Sequence, residues 1–188
     1  MLTALEKSLK VLVLILLVIV FFGLVLTPSY QVQRSVDITS SSAQIAPWLQ
    51  DLNNWPKWLA VQQIEDRARL QVHGRTQGVG AHINWLGDSS RGELSITHSS
   101  AEQLEFQVLV NDEYLSRGTI SIQGYAQGSR VTWQQRGEIT IPVLGPYLAW
   151  LAEHQLQNTI THSLNNLRTL SELPQPEHDK GSEQPSDP

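Results

Sequence analysis

Residues 145–173 read GPYLAWLAEHQLQNTITHSLNNLRTLSEL. After Gly145-Pro146 the chain runs from Tyr147 to Glu172 without another Gly or Pro. Pro suits the first helical position, because its φ is pre-set and the amide it lacks would be unpaired there anyway. Apolar residues recur at Ala149, Ala152, Leu156, Ile160, Leu164, Leu167 and Leu170. Steps of three and four mark one face of a helix. The opposite face carries His154, Asn158, Thr161, Asn165, Arg168 and Glu172, so it is predicted to meet water. A long amphipathic helix needs a broad apolar surface to lie on.

The preceding residues read as that surface. Tyr30, Val32, Val36 and Ile38 alternate with Gln31, Gln33, Ser35 and Asp37, the period of a half-buried strand, with Arg34 alone interrupting the apolar face. Ser41-Ser-Ala-Gln44 has the spacing of a capping box and opens a short helix with Ile45, Trp48, Leu49 and Leu52 on one face. Pro47 inside it predicts a kink. Trp55 and Trp58, three apart in Asp51-Leu-Asn-Asn-Trp-Pro-Lys-Trp58, share a face if that turn is helical. They plug one end of the core or contact a ligand.

From Arg67 to Glu138, short alternating runs are separated by turns at Gln77–Gly80, Gly87–Ser90, Ser99-Ser100, Asn111–Glu113 and Gln127–Ser129. Runs of this kind predict an antiparallel meander with one dry face. The dry phase would hold Ile83, Trp85, Leu94, Ile96, Phe106, Val108, Ile120, Ile122, Val131 and Trp133, with His98 and Gln135 as its few polar members. The long C-terminal helix is the cover for that face.

Val11 to Leu26 holds sixteen residues without a polar side chain. As a helix these cover about 24 Å, slightly less than a ~30 Å hydrocarbon core, and Leu9 and Thr27 extend them. A cleaved signal peptide is the competing reading. No Ala-x-Ala follows, which favours an uncleaved anchor. Lys7 and Lys10 precede the span and Arg34 is the only basic residue soon after it, so the N-terminus is expected in the cytoplasm and the domain on the periplasmic or extracellular side. The chain thus divides into residues 1–28 (N-terminus and transmembrane anchor), 29–173 (the folded domain) and 174–188. That last stretch, rich in Pro and acid and without large apolar residues, is expected to be disordered.

Between Ser29 and Leu173 ten Lys/Arg face thirteen Asp/Glu, a balance with no electrostatic footprint for nucleic acid. The absence of Cys excludes disulfides, thiol nucleophiles and Cys-ligated zinc. His154 and His162 lie eight residues apart on the long helix, about 12 Å along its axis and too far to share a metal. Gly87-Asp-Ser-Ser-Arg-Gly92 lacks the spacing of a nucleophile elbow, and no phosphate-cradling loop precedes a helix. No catalytic set, metal or cofactor is predicted.

The order strand, short helices, meander, long helix resembles the START-like (SRPBCC) superfamily, in particular its polyketide-cyclase/dehydrase-type branch. The residues that carry the resemblance are Arg34-Ser-Val-Asp-Ile-Thr39 before Ser42-Ala-Gln-Ile45, the Asp51–Trp58 stretch, and Gly78-Val-Gly80 ahead of Trp85. Arg130-Val-Thr-Trp133 and Leu164-Asn-Asn-Leu-Arg-Thr-Leu170 extend it over Tyr30 to Glu172. It implies an α+β helix-grip fold, a curved antiparallel sheet of about six or seven strands wrapped round a long C-terminal helix, with an apolar cavity between them. It supplies no catalytic residues.

A mostly apolar cavity with few polar groups suits a small hydrophobic molecule or a lipid. Candidate cavity residues are Arg34, Trp58, Trp85, His98, Phe106, Tyr114, Trp133 and Trp150. His98 reads either as a general base on the cavity wall or as a strand-end residue facing water. Trp150 and Leu151 lie off the main stripe of the long helix, as core at the cavity end or as contacts to ligand or lipid. The apolar loop Ile141-Pro-Val-Leu144 beside them is suited to dip into lipid. Two functions remain, a membrane-anchored binding module and a cyclase-, dehydratase- or hydrolase-like enzyme using the same cavity. A third possibility is a scaffold protein with a filled core.

Overall fold

A computed structural model describes residues 2–61, 68–88 and 90–173. The stretch expected to be disordered, 174–188, lies outside the described residues. Helix α1 (Leu2–Val25) is followed at once by strand β1 (Ser29–Ile38). Next come α2 (Ser42–Gln50), a 3-10 turn (Leu52–Asn54) and the single turn α3 (Trp55–Trp58). The meander is β2 (Arg69–His73), β3 (His82–Leu86), β4 (Arg91–Ser99), β5 (Gln103–Val110), β6 (Tyr114–Tyr125) and β7 (Gly128–Glu138), and α4 (Gly145–Glu172) closes the fold. The strands pair antiparallel in the order β1-β7-β6-β5-β4-β3-β2. Consecutive strands of the meander are neighbours, while β1 closes the other edge by pairing with β7 from Ser29↔Glu138 to Ile38↔Ser129.

Helix α4 lies across the dry face as its periodicity predicts. Ala149, Ile160, Leu164 and Leu167 are buried, and the His154–Glu172 face is exposed. Its far end is tied to the sheet by Ser40 Oγ donating to Ser171 O (2.6 Å) and by Thr39 donating twice to the Glu172 carboxylate. In its middle, Ser163 Oγ accepts from Ala60 N and Asn166 Nδ2 donates to Trp58 O. Polar residues on a helix therefore hold α3 in place, which a purely apolar stripe does not specify.

Capping starts α2, since the Gln44 side chain accepts from Ser41 N at 2.9 Å. Pro47 sits inside the helix without ending it, and the chain continues helical to Gln50.

The space between sheet and α4 divides into two halves. Towards the Ile38 end of β1 it is filled: Ile45, Leu49 and Leu52 meet Ile96, Leu104, Ile122 and Val131 in one buried cluster. Trp55 and Trp58, both 0% exposed, close that half off. Their indole N–H groups donate to Leu49 O (2.8 Å) and Trp48 O (3.0 Å), so two polar groups enter the core already satisfied. The Ser29 end of the sheet is less completely filled.

Three aromatic side chains face glycines directly across the sheet: Trp85↔Gly92, Phe106↔Gly118 and Tyr30↔Gly137. A Cβ on Gly118 would lie 2.1–2.8 Å from three atoms of the Phe106 ring. The glycines are thus flat seats on which the rings lie, a cross-strand packing known from other sheets. Gly118→Ala is expected to destabilise the protein by about 1–3 kcal/mol, because the ring must leave its seat. The double variant with Phe106→Leu should recover part of that loss in a denaturant titration followed by circular dichroism.

Candidate functional site

The site is a cavity of about 220 Å³ between the Ser29 half of the sheet and the middle of α4. Strands β2 to β5 supply Leu70, Ile83, Trp85, Leu94, Phe106 and Val108, and α4 supplies Leu156, Thr159 and Ile160. Its floor is the aromatic cluster. Trp133 lies 5.9 Å from Trp58 and 5.8 Å from Phe106, and Trp55 lies 5.8 Å from Phe106, all edge-on. Offset and edge-on contacts match the positive ring edge to the negative ring face, which locks the four rings against one another. Val61, Ala68, Ser90 and Val110 line the opposite end, where the strand ends and turns lie. Two larger hollows, about 480 and 540 Å³, lie among outward-facing polar groups such as Gln31, Arg117 and Arg136. They offer an apolar molecule little to replace water with, so the inner cavity is the better candidate.

Polar groups at the cavity are few and held by neighbours. Gln135 Nε2 donates to Ser116 Oγ at 3.0 Å, and its Oε1 accepts from Trp133 Nε1 at 3.3 Å. The Ser116 hydroxyl also bonds Tyr30, whose phenol pKa is raised above the usual value by burial, an effect the Ser116 bond partly offsets. Thr159 Oγ1 donates to Gln155 O on its own helix. An amide has two donors and two acceptor sites. Gln135 thus keeps one N–H and one lone-pair direction beyond these two bonds. It is the group on the wall best able to meet a ligand hydroxyl or carbonyl. Among the described residues no ionisable side chain lines the cavity, and no three His, Asp or Glu side chains converge as a metal site would require.

Of the eight residues singled out from sequence, Trp85, Phe106 and Trp133 line the cavity. Trp58 lies behind it as part of the floor, against Trp133. Arg34 faces α4 but stands off to one side, donating to Gln157 Oε1 (2.8 Å) and Gln33 O, as a strap between helix and sheet. His98 is not on the dry face. The pairing shifts between Ile96↔Phe106 and His98↔Glu105, so one extra residue in β4 turns His98 to the exposed side. A strict period of two cannot show such a bulge. Tyr114 is half-buried at the start of β6, beside Glu113, and does not reach the cavity. Trp150 is 72% exposed, so it is neither core nor cavity wall. Ile96, Ile120, Ile122 and Val131, expected on the walls, belong to the filled half. Ser116 and Tyr30 of the polar chain were not singled out as site residues. Their shared phase with Gln135 across β1, β7 and β6 was the available signal, and register alone made it meaningful.

The same architecture recurs among solved structures. A START superfamily protein from Mycobacterium smegmatis superposes with TM-score 0.55 at 14% identity, over 75% of this chain and 99% of that one. The KanY protein gives TM-score 0.60 at 16% identity, over 77% and 98%. DynU16, from the dynemicin biosynthetic locus, gives 0.57 at 14% identity, over 76% of this chain and 47% of its own. The chain has the helix-grip fold. At these identities the likeness shows the fold and nothing finer. No family model and no curated protein matches the sequence.

Within this helix-grip domain the partly buried phenol of Tyr30 has a consequence for alkaline stability. The folded Tyr30 keeps its proton to higher pH than an unfolded tyrosine near 10.0. Its contribution is therefore intact below pH 10.0 and is lost as pH rises through the folded value. Tyr30→Phe should flatten the fall in stability above pH 10.0, read as the denaturation midpoint against pH in parallel with the parent protein.

Proposed function

We propose that the protein is a membrane-anchored binding module that holds one small hydrophobic molecule or lipid portion in the inner cavity. The observation that carries this reading is the wall itself. Its aliphatic and aromatic side chains surround one adaptable amide, Gln135. Such a wall favours an apolar body with a single hydroxyl or carbonyl over a charged or sugar-like ligand, since burying several polar groups there would leave them unpaired. A volume of about 220 Å³ corresponds to roughly seven water molecules at 30 Å³ each, so the occupant is small or enters only in part. An enzyme in the same cavity needs converging acid–base groups. The candidates for that role, His98, Arg34 and Tyr114, stand outside it.

Anchoring is supported by α1. Its segment Glu6–Val25 has a mean hydropathy of 3.0, and only 6% of it is buried against the rest of the protein. Twenty residues of helix span about 30 Å, the thickness of a hydrocarbon core. With Lys7 and Lys10 on the N-terminal flank, the domain lies on the periplasmic or extracellular face.

The full chain, purified in mild detergent, should carry a small apolar molecule detectable by native mass spectrometry and solvent extraction. Val108→Trp, which fills the cavity, should release it without unfolding the protein. An empty parent protein across all lipid extracts offered, or a filled variant that still binds, would sink the binding reading. Topology is checked with reporters fused after Leu173: alkaline phosphatase is expected active and a cytoplasm-only fluorescent protein dark, and the reverse pattern overturns the orientation.

A further inference from the structure

All the strand ends near Ser29 lie at one end of the domain. The pairs Ser29↔Glu138, Val110↔Tyr114 and Leu86↔Arg91 close that end, and Arg69↔Leu86 completes it at β2. The cavity residues Val61, Ala68, Ser90 and Val110 belong to the same end, and so does the exit of α1.

The anchor helix does not merely leave from there; it is docked. Tyr147 Oη donates to Ile19 O at 2.8 Å. Gly23 lies so close to the β7–α4 loop that a Cβ on it would fall 2.2 Å from Val143 O. Ile19 precedes the end of α1 at Val25 by six residues, about 9 Å of helix. The first turn of α4 therefore lies alongside the apolar span Glu6–Val25, not beyond it.

The loop is shaped to present apolar side chains at that level. Leu144 N donates to Pro142 O across Val143, which sits at φ 65. A β-branched residue at positive φ is strained and persists only where its surroundings hold it. Leu144 (54% exposed), Leu148, Trp150 and Leu151 project outward next to it, and Leu86 (66%) projects from the end of β3. A cluster of this kind beside an apolar helix would be a large apolar patch in water. Trp and Tyr at such a level match the aromatic belt of membrane proteins. Among the described residues, charge at this end leans acidic, with Arg69, Arg91, Arg117 and Arg136 against Asp88, Glu93, Asp112, Glu113, Glu138 and Glu153, so an anionic surface gains no general attraction.

We propose that this end of the domain rests on the same lipid bilayer that α1 enters. The turn Leu144–Leu151 is sunk in the boundary between headgroups and acyl chains, and the cavity mouth faces the lipid. The ~9 Å overlap with α1 agrees with the 5–10 Å depth at which amphipathic segments lie in that boundary. A ligand then passes between bilayer and cavity without crossing water. The docking rests on the membrane anchoring proposed above together with the contacts of α1; the passage of a ligand rests in addition on the binding reading.

The chain has no Cys, so single cysteines can be labelled cleanly. The full chain is reconstituted into phosphatidylcholine vesicles with a nitrobenzoxadiazole dye at Leu86→Cys, Leu148→Cys or Leu151→Cys. Val79→Cys and Tyr125→Cys, exposed positions at the opposite end, serve as references. Spin-labelled lipid is expected to quench the first three severalfold more than the references, equally at about 0.05 and 0.5 M salt, a range over which surface charge attraction is strongly screened. Gly23→Ile, which places a side chain where Val143 O lies, should reduce quenching at Leu148→Cys while circular dichroism stays unchanged. Equal quenching at both ends, none at either, or quenching that salt abolishes would overturn the docking. Quenching as expected around a cavity that never retains a molecule would overturn the passage of ligand and the binding reading together, and leave the docking in place.

Discussion

The contact on which the rest of the structure depends is the edge-on packing of Trp55, Trp58, Phe106 and Trp133. These rings sit where the filled and open halves of the interior meet. Two come from a single turn of helix, α3, and two from the sheet, so the cluster joins parts of the chain that sequence keeps far apart. Because rings are large and rigid, they wall off the far half without needing α4 to press closer. The near half keeps a gap between Leu94, Val108 and Leu156. A cavity in a protein costs packing energy. It survives here because the aromatic floor and the Arg34–Gln157 strap hold helix and sheet at a set distance.

The polar chain Trp133–Gln135–Ser116–Tyr30 runs from that floor towards the Ser29 end. Each member satisfies the next, which lets polar atoms stand inside an apolar wall at low cost. The glycines opposite Trp85, Phe106 and Tyr30 make room for the same rings from below. Cavity shape, polarity and floor are therefore one construction, with α1 held against the start of α4 at the Ser29 end by Tyr147 and by the close approach of Gly23 to Val143.

Much of the fold was legible in the sequence because periodicity is a local signal. The stripe from Ala149 to Leu170, the alternation of each strand and the pairing of Trp55 with Trp58 all appear as expected. The site was less legible, for identifiable reasons. His98 kept the phase of Leu94 and Ile96 on paper, but the bulge at Thr97 turned it outward. Trp150 read as core at the cavity end or as a contact to ligand or lipid, and it is exposed because the buried face of the first turn of α4 is taken by Gly145, Pro146 and Ala149. Ile120, Ile122 and Val131 shared the inward phase of Val108, but the phase of a strand says nothing about which half of it a neighbouring helix fills.

By itself the sequence determined the elements, their order, the apolar face of each and a segment long and apolar enough to cross a membrane, because each of these is written in spacing along the chain. The tertiary structure alone decided which inward residues border empty space, which polar groups reach one another, and that the first turn of α4 lies beside α1. Those depend on register, on a bulge and on the thickness of rings packed from distant segments. Such distances arise only when the chain closes on itself.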